Sequence, residues 1–89
     1  MRAEYVRYQE GEKQRRRIRN ASIELAMTYH AIERTPDGMT IGDHINSIEA
    51  NALEQTDNAA RTGMLWVHAA ALTAQALEQV SERIQGERS

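Results

Sequence analysis

Histidine suits metal binding and proton transfer near neutral pH, and the chain has three histidines: His30, His44 and His68. Di-iron helical bundles use Glu-x-x-His motifs, in which a glutamate lies three residues before the histidine. The residues at those positions here carry no carboxylate; they are Met27, Ile41 and Leu65. No two histidines are four residues apart, so none share a helix face at that spacing. We therefore expect no metal site and no cofactor.

Nucleophilic catalysis is not indicated either. A catalytic serine needs a histidine within hydrogen-bond reach and an acid that orients that histidine. The serines of this chain lie within helical patterns or at the C-terminus. The phosphate-binding patterns GxxxxGK(S/T) and GxGxxG are absent, and there is no cysteine to act as a thiolate. We therefore predict that the protein is not an enzyme and takes no small-molecule substrate.

The sequence EKQRRRIRN, residues 12–20, holds the densest group of charges in the chain. Its basic side chains are Lys13, Arg15, Arg16, Arg17 and Arg19. Residues 1–20 carry seven basic and three acidic side chains, a net charge of +4, whereas residues 21–89 carry four basic and ten acidic ones, a net charge of −6. This asymmetry is typical of a basic segment attached to an acidic domain.

Two interpretations of this basic segment remain open. On a helix, Lys13 and Arg17 are one turn apart and repel each other, and Glu12, one turn from Arg16, offsets the repulsion only in part. The segment is then either a surface that binds an acidic protein partner or the phosphates of a nucleic acid, or a solvated helix face whose arginine stems cover an alanine-rich surface.

The segment MLWV, residues 64–67, is the most apolar part of the sequence. On a helix its side chains cover more than one face, which indicates burial on two sides. Trp66 either fills the core of a single chain, against Tyr29 or Ile32, or contacts a second copy. Because the chain has no phenylalanine and many alanines, one copy buries little apolar area, and the second alternative is favoured.

This reasoning predicts an interface between two copies, in which tryptophan is a favoured contact residue. Its residues are Met64, Leu65, Trp66, Val67 and Ala70. The small side chains of Ala70 and Ala74, together with Gly63, would let a helix of the other copy approach closely. The expected assembly is a homodimer.

The elements that carry these residues are predicted to be helices. A row of residues at steps of three and four extends from Ile18 to Ile32 and is apolar except at Ser22, which predicts a helix over residues 13–34. Residues 1–12 form a polar N-terminal arm, for which two alternatives remain. The arm frays, since Gly11 costs about 1 kcal/mol relative to alanine inside a helix, or it continues the helix unbroken. The sequence TPDG predicts a turn over residues 35–39.

A second helical region follows this turn, and residues 13–86 are predicted to form one domain. Thr40 is a suitable N-cap, with Asp43 three residues later. The polar residues Thr56, Asp57 and Asn58 favour a helix break at 55–58. The alternative is one helix of about 45 residues, since no proline interrupts the pattern.

No segment shows the alternating pattern of a strand, so the predicted fold class is all-α. A helical hairpin or a three-helix unit would be completed into a bundle by homodimerisation. The sequence carries no signal-peptide pattern and no apolar stretch long enough to span a bilayer, so we expect a cytoplasmic protein without membrane contact. The composition suits a small accessory protein of a bacterium or phage.

The predicted function is protein binding, as an adaptor, inhibitor or assembly factor that uses the basic helix and the Trp66 interface. The alternative is low-specificity binding of nucleic acid by the basic side chains of residues 13–19.

Overall fold

The computed structural model describes residues 2–88, with side chains described for residues 5–87. Three helices follow one another: α1 (Arg2–Ala31), α2 (Ile41–Arg61) and α3 (Trp66–Arg88). No strand occurs within residues 2–88, so the predicted all-α fold and its three-helix form are confirmed. Within the same residues, no helix combines the length and the apolar character that a membrane span requires.

The first helix continues through Gly11, which is the second of the two alternatives for residues 1–12. An added Cβ at Gly11 would meet no atom within 4 Å, so the position is open and its glycine is not required by a close contact. Its cost of about 1 kcal/mol is too small to interrupt a helix that is stabilised along its whole length.

The predicted end of this helix at residue 34 is wrong, because α1 ends at Ala31. The N–H of Arg34 donates to the carbonyl oxygen of Tyr29 at 2.9 Å, and the N–H of Glu33 donates to that of His30 at 3.2 Å. These two bonds form a Schellman motif, which requires a left-handed residue after the helix. Glu33 occupies that position with a φ of 56°.

The predicted break at 55–58 is also wrong, because α2 continues to Arg61 and the chain turns at residues 62–65. Thr56 is fully buried, and its hydroxyl lies 2.9 Å from the carbonyl oxygen of Ala52 and 3.1 Å from the hydroxyl of Thr73 on α3, either of which can accept its proton. Threonine favours helix caps over helix interiors, and these contacts stabilise Thr56 within the helix. The true stop signal is Gly63, which has a φ of 100°.

The three helices form an up-down-up bundle. Arg17 of α1 contacts Glu78 of α3, and Thr28, further along α1, contacts Ser81, further along α3, so these helices run parallel. Arg19 of α1 contacts Glu49 of α2, and Tyr29, further along α1, lies beside His44, which comes earlier in α2, so α2 runs antiparallel to α1 and α3.

The interior of the bundle consists mainly of small side chains. At its centre lie Ile18 of α1, Ala52 of α2, and Ala70 and Ala74 of α3. Buried hydroxyls complete it, and each has a partner: Ser22 donates to the carbonyl oxygen of Ile18 at 2.8 Å, and the Thr28 and Ser81 oxygens are 3.2 Å apart. Small residues let the helices approach closely, but they remove little apolar area from water.

Several large apolar side chains remain exposed. The exposed ones are Tyr5, Val6, Tyr8, Met27, Ile41, Met64, Leu65, Leu72 and Val80. Scattered single residues of this kind are ordinary on a protein surface, whereas clusters indicate contact with another molecule.

Candidate interaction surfaces

The basic segment of α1 divides into engaged and unpaired side chains. Arg17 binds Glu78 of α3 with two bonds, from Nη2 to Oε1 at 2.6 Å and from Nε to Oε2 at 3.5 Å. On the neighbouring face, Arg19 donates to Oδ1 of Asn46 at 2.9 Å and to Oε1 of Glu49 at 3.4 Å, both on α2. Two arginines therefore join the first helix to the other two.

Arg15 is engaged in a different way. Its guanidinium lies over the ring of Trp66, with Cζ 4.7 Å from the ring centroid, and its Nε is 3.9 Å from Oε1 of Glu12. Glu12 therefore pairs with Arg15 and not with Arg16, the partner suggested by the spacing. The indole Nε1 of Trp66 donates to Oδ1 of Asp57 at 2.8 Å, which connects all three helices at this end of the bundle.

Lys13 and Arg16 are the unpaired members of the segment. Both are exposed, and neither forms an ion pair or a side-chain hydrogen bond with any residue in the described part of the chain. They lie on the outer side of α1, where binding of a partner stays a prediction, whereas the arginines that contact other helices fit neither interpretation of the basic segment. Three arginines contribute to the fold, and two cations are available to another molecule.

The residues of the predicted apolar interface do not form one surface. Met64 and Leu65 lie in the turn before α3 and are exposed, the latter by 67%. Trp66 and Val67 are half-buried at the start of α3. Ala70 is fully buried in the core and has no area left for a second copy.

The core contacts of Trp66 differ from those considered for it, and its contact with a second copy stays a prediction. Its ring packs against the cluster around Ile18, near the start of the bundle. Tyr29 lies near the other end of α1, where its ring centroid is 5.9 Å from that of His44. The alanines expected to receive a helix of another copy, Ala70 and Ala74, instead receive α1 and α2 of their own chain.

An apolar hollow lies beside the exposed turn. Val6 of α1 and the segment Leu65–Val67 form its apolar lining, and charged or titratable side chains form its rim: Arg7, Glu10 and His68. Val6 was not predicted from the sequence as a contact residue. Its signal was weak, because a single valine in a polar segment has no periodic apolar neighbours.

The histidines and carboxylates do not come together into a metal-binding group. No set of three or more His, Cys, Asp or Glu side chains suited to a metal ion is found among the residues that the structure describes. His30 lies beside Thr35, with Nδ1 3.4 Å from the hydroxyl, and His44 stacks at an angle on Tyr29. His68 is at the other end of the bundle, on the rim of the apolar hollow.

Comparisons with known proteins assign no function to these surfaces. No protein-family model matches the chain, and no curated protein and no solved structure is significantly similar to it. The function is therefore argued from the contacts, exposure and charge of the surfaces themselves.

Proposed function

We propose that the protein is a non-enzymatic protein-binding module, an adaptor, inhibitor or assembly factor, that forms a homodimer and binds an acidic protein partner in the cytoplasm. The observation that supports this most strongly is the apolar end of the bundle, where exposed Leu65 adjoins Val6, Trp66 and Val67. Burial of one such large apolar side chain stabilises a complex by roughly 1.5–3 kcal/mol.

The unpaired cations indicate the charge of the partner. Lys13 and Arg16 lie on the same helix as Val6, about two to three turns further along it. A partner that covers the apolar end and continues along α1 meets both of them. Carboxylates on that partner would orient it and increase its association rate, while the apolar contacts supply most of the affinity.

Nucleic-acid binding is the alternative, and the geometry reduces its expected strength. With Arg15, Arg17 and Arg19 engaged inside the chain, Lys13, Arg16 and the exposed Arg7 remain for phosphates. Neutralising about three phosphates of duplex DNA gives a log–log salt slope near −2.7, so we expect binding that is weak and lost as salt rises to the physiological range.

The test is capture of partners from a nuclease-treated lysate of the source cell at physiological salt, followed by titration with each captured protein after purification. Leu65→Asp and Arg16→Glu should each weaken binding of an acidic protein. Ile41→Asp is the matched control, because Ile41 is exposed at the first position of α2, where an added acid is favourable to the helix.

A parallel titration with labelled duplex and single-stranded DNA distinguishes the alternative. DNA binding that survives at physiological salt and disappears in Lys13→Ala/Arg16→Ala, together with capture that is insensitive to Leu65→Asp, would contradict the proposed function.

A further inference from the structure

Three hollows lie one after another along the groove between α1 and α3, and residues of one face of α1 line all three. The first contains Val6 and Glu10, the second extends from Lys13 to Glu24, and the third extends from Asn20 to Ala31. The α1 residues at their centre are separated by alternating steps of four and three. We call them the α1 seam: Val6, Glu10, Lys13, Arg17, Asn20, Glu24, Met27 and Ala31.

This spacing is the seven-residue repeat that keeps a row of side chains on one side of a helix when it packs against another helix. All seam residues except the half-buried Arg17 are exposed. The repeat extends over nearly the whole of α1, yet α2 packs on a different side, through Ile18 and Arg19. Arg17 binds Glu78 of α3 at one edge of the seam, and the exposed seam residues on either side of it form a surface suited to a further helix.

Side-chain character changes in a definite order along the seam. The N-terminal end is apolar, with Val6 beside Leu65 and Trp66. The middle holds the unpaired cation Lys13 and, about three turns later, the exposed carboxylate of Glu24. The C-terminal end is apolar again, with Met27, which is 57% exposed, beside Ile23 and Ala31.

We infer that a second copy of this chain docks on the α1 seam in antiparallel orientation, about a two-fold axis that passes between residues 18 and 19. This inference specifies the surface of the homodimer in the proposed function and rests on its self-association part. In this register Lys13 lies opposite Glu24 of the second copy, and Val6 lies opposite Ala31 of the second copy. The symmetry produces each contact twice.

The same register joins the apolar ends. Met27 of the second copy lies opposite Glu10, at the hollow that Val6, Leu65 and Trp66 line. Methionine is flexible and fills irregular apolar gaps, so it suits a hollow of this kind. The exposed methionine of each chain thereby covers the apolar end of the other, so an acidic partner that binds this end competes with the second copy.

Neighbouring registers are less favourable. A shift of one repeat in one direction sets Lys13 opposite Arg17 of the second copy, which is a contact between like charges. A shift in the other direction sets Lys13 opposite Ala31 and leaves Glu24 opposite Asn20, so both charges lose their partners. The order of charges therefore selects a single antiparallel register.

The seam fits a second copy better than an unrelated acidic helix. An acidic helix would pair with Lys13 and Arg16, but it would also face Glu24 and Glu78 along the same groove. Arg17 cannot offset this second group, because its charge is already paired with Glu78. A second copy presents a carboxylate where the seam has a cation and a cation where it has a carboxylate.

The first test exchanges the two charges, with association measured by sedimentation equilibrium at physiological salt. Lys13→Glu faces Glu24 of the second copy twice, and Glu24→Lys faces Lys13 twice, so each should weaken dimerisation roughly tenfold. The double variant Lys13→Glu/Glu24→Lys restores both pairs and should return the affinity to that of the wild type. Glu54→Lys is the control, because it changes the charge by the same amount at an exposed position of α2.

A second test maps the register and uses the absence of native cysteine. Val6→Cys and Ala31→Cys chains, mixed and oxidised, should form the mixed disulfide, since their side chains face each other. Tyr8→Cys is the matched control, because Tyr8 is exposed and about 200° around the helix from Val6. Circular dichroism establishes that every variant keeps its helices.

A monomeric wild type, a double variant that stays weak, or cross-linking of Ala31→Cys to Tyr8→Cys in preference to Val6→Cys would each overturn this inference. Failure here is distinguishable from failure of the proposed function. A monomer that still binds an acidic partner through Leu65 and Arg16 contradicts only the dimer. A dimer with the mapped register that captures no partner contradicts only the adaptor role.

Discussion

The interior of the bundle and the outer face of α1 differ in the size of the side chains they carry. The largest fully buried side chains are Ile18, Thr56, Ser22 and Ser81, whereas the outer face exposes Val6 and Met27. Small buried residues bring the helices close together, and their hydroxyls are satisfied by neighbouring carbonyls and hydroxyls. Apolar area that usually stabilises a core is thus partly left exposed, and α1 carries buried Ile18 and exposed Met27 on different sides.

The basic segment repeats this division on a smaller scale. Arg17 and Arg19 point toward neighbouring helices and hold them, whereas Lys13 and Arg16 remain in solvent. Since one turn of helix separates residues with different roles, charge density in the sequence did not indicate which cations are available for binding.

The largest effect should come from truncation at the centre of the interior. Ile18→Ala removes the largest fully buried side chain and should lower the free energy of unfolding by about 2–5 kcal/mol, because it leaves a cavity at the centre of the core cluster. Met27→Ala on the outer face should change it by less than about 0.5 kcal/mol. Urea unfolding at low protein concentration, followed by circular dichroism, measures both. Equal losses would contradict the division between the two regions.

The next largest effect is a gain in the free energy of unfolding when a polar residue of the interior is replaced. Gln14 is buried, and its Oε1 has no hydrogen-bond partner among the residues that the structure describes. Gln14→Leu should raise the free energy of unfolding by about 1–2 kcal/mol, because it removes an unsatisfied acceptor. Gln75→Leu, at an exposed position of α3, should have no such effect in the same urea experiment. A destabilised Gln14→Leu would show that the interior depends on this amide.

A change outside both regions provides a reference for these values. Glu33→Gly should stabilise the protein by about 1 kcal/mol, since glycine adopts the left-handed conformation after α1 without a steric penalty. Glu33→Ala keeps that penalty and should leave the thermal midpoint nearly unchanged. A similar rise in both variants would mean that loss of the charge, and not the backbone, is responsible.

The smallest effect concerns the two classes of cation. Arg17→Met should lower the free energy of unfolding by about 0.5–1 kcal/mol and reduce its dependence on salt, because the pair with Glu78 is half-exposed. Arg16→Met, the neighbouring unpaired position, should leave both quantities unchanged. Indistinguishable salt dependence in the two variants would refute the assignment of Arg17 to the fold.

Local signals in the sequence were sufficient for the helical elements and for one cap. Thr40 caps α2, and its hydroxyl accepts from the N–H of Asp43 at 3.1 Å, as the spacing predicted. The turn after α1 contains the predicted residues 35–39 within a longer connection. Both features depend on residues close together in the chain, and propensity describes such interactions well.

Features that depend on distant contacts were not predictable in this way. The polar residues at 56–58 suggested a break, but Thr56 and Asp57 stay helical because Thr73 and Trp66 of α3 bind them. The bond between Arg17 and Glu78 joins residues 61 positions apart, so no local pattern could have shown that Arg17 is engaged. The small size of Ala70 suits close contact between helices, which predicted an interface. The interior requires the same small size, so the residue type alone could not distinguish the two locations.

The most direct test of the central claim is the mass of the wild-type protein in solution. Sedimentation equilibrium over a wide range of concentration at physiological salt should show reversible conversion of the 10.1 kDa chain to a dimer of twice that mass. Met27→Asp should abolish the dimer while the helical content of the monomer is unchanged. A wild type that stays at the mass of one chain at every concentration would contradict the claim that the exposed face of α1 binds a second copy.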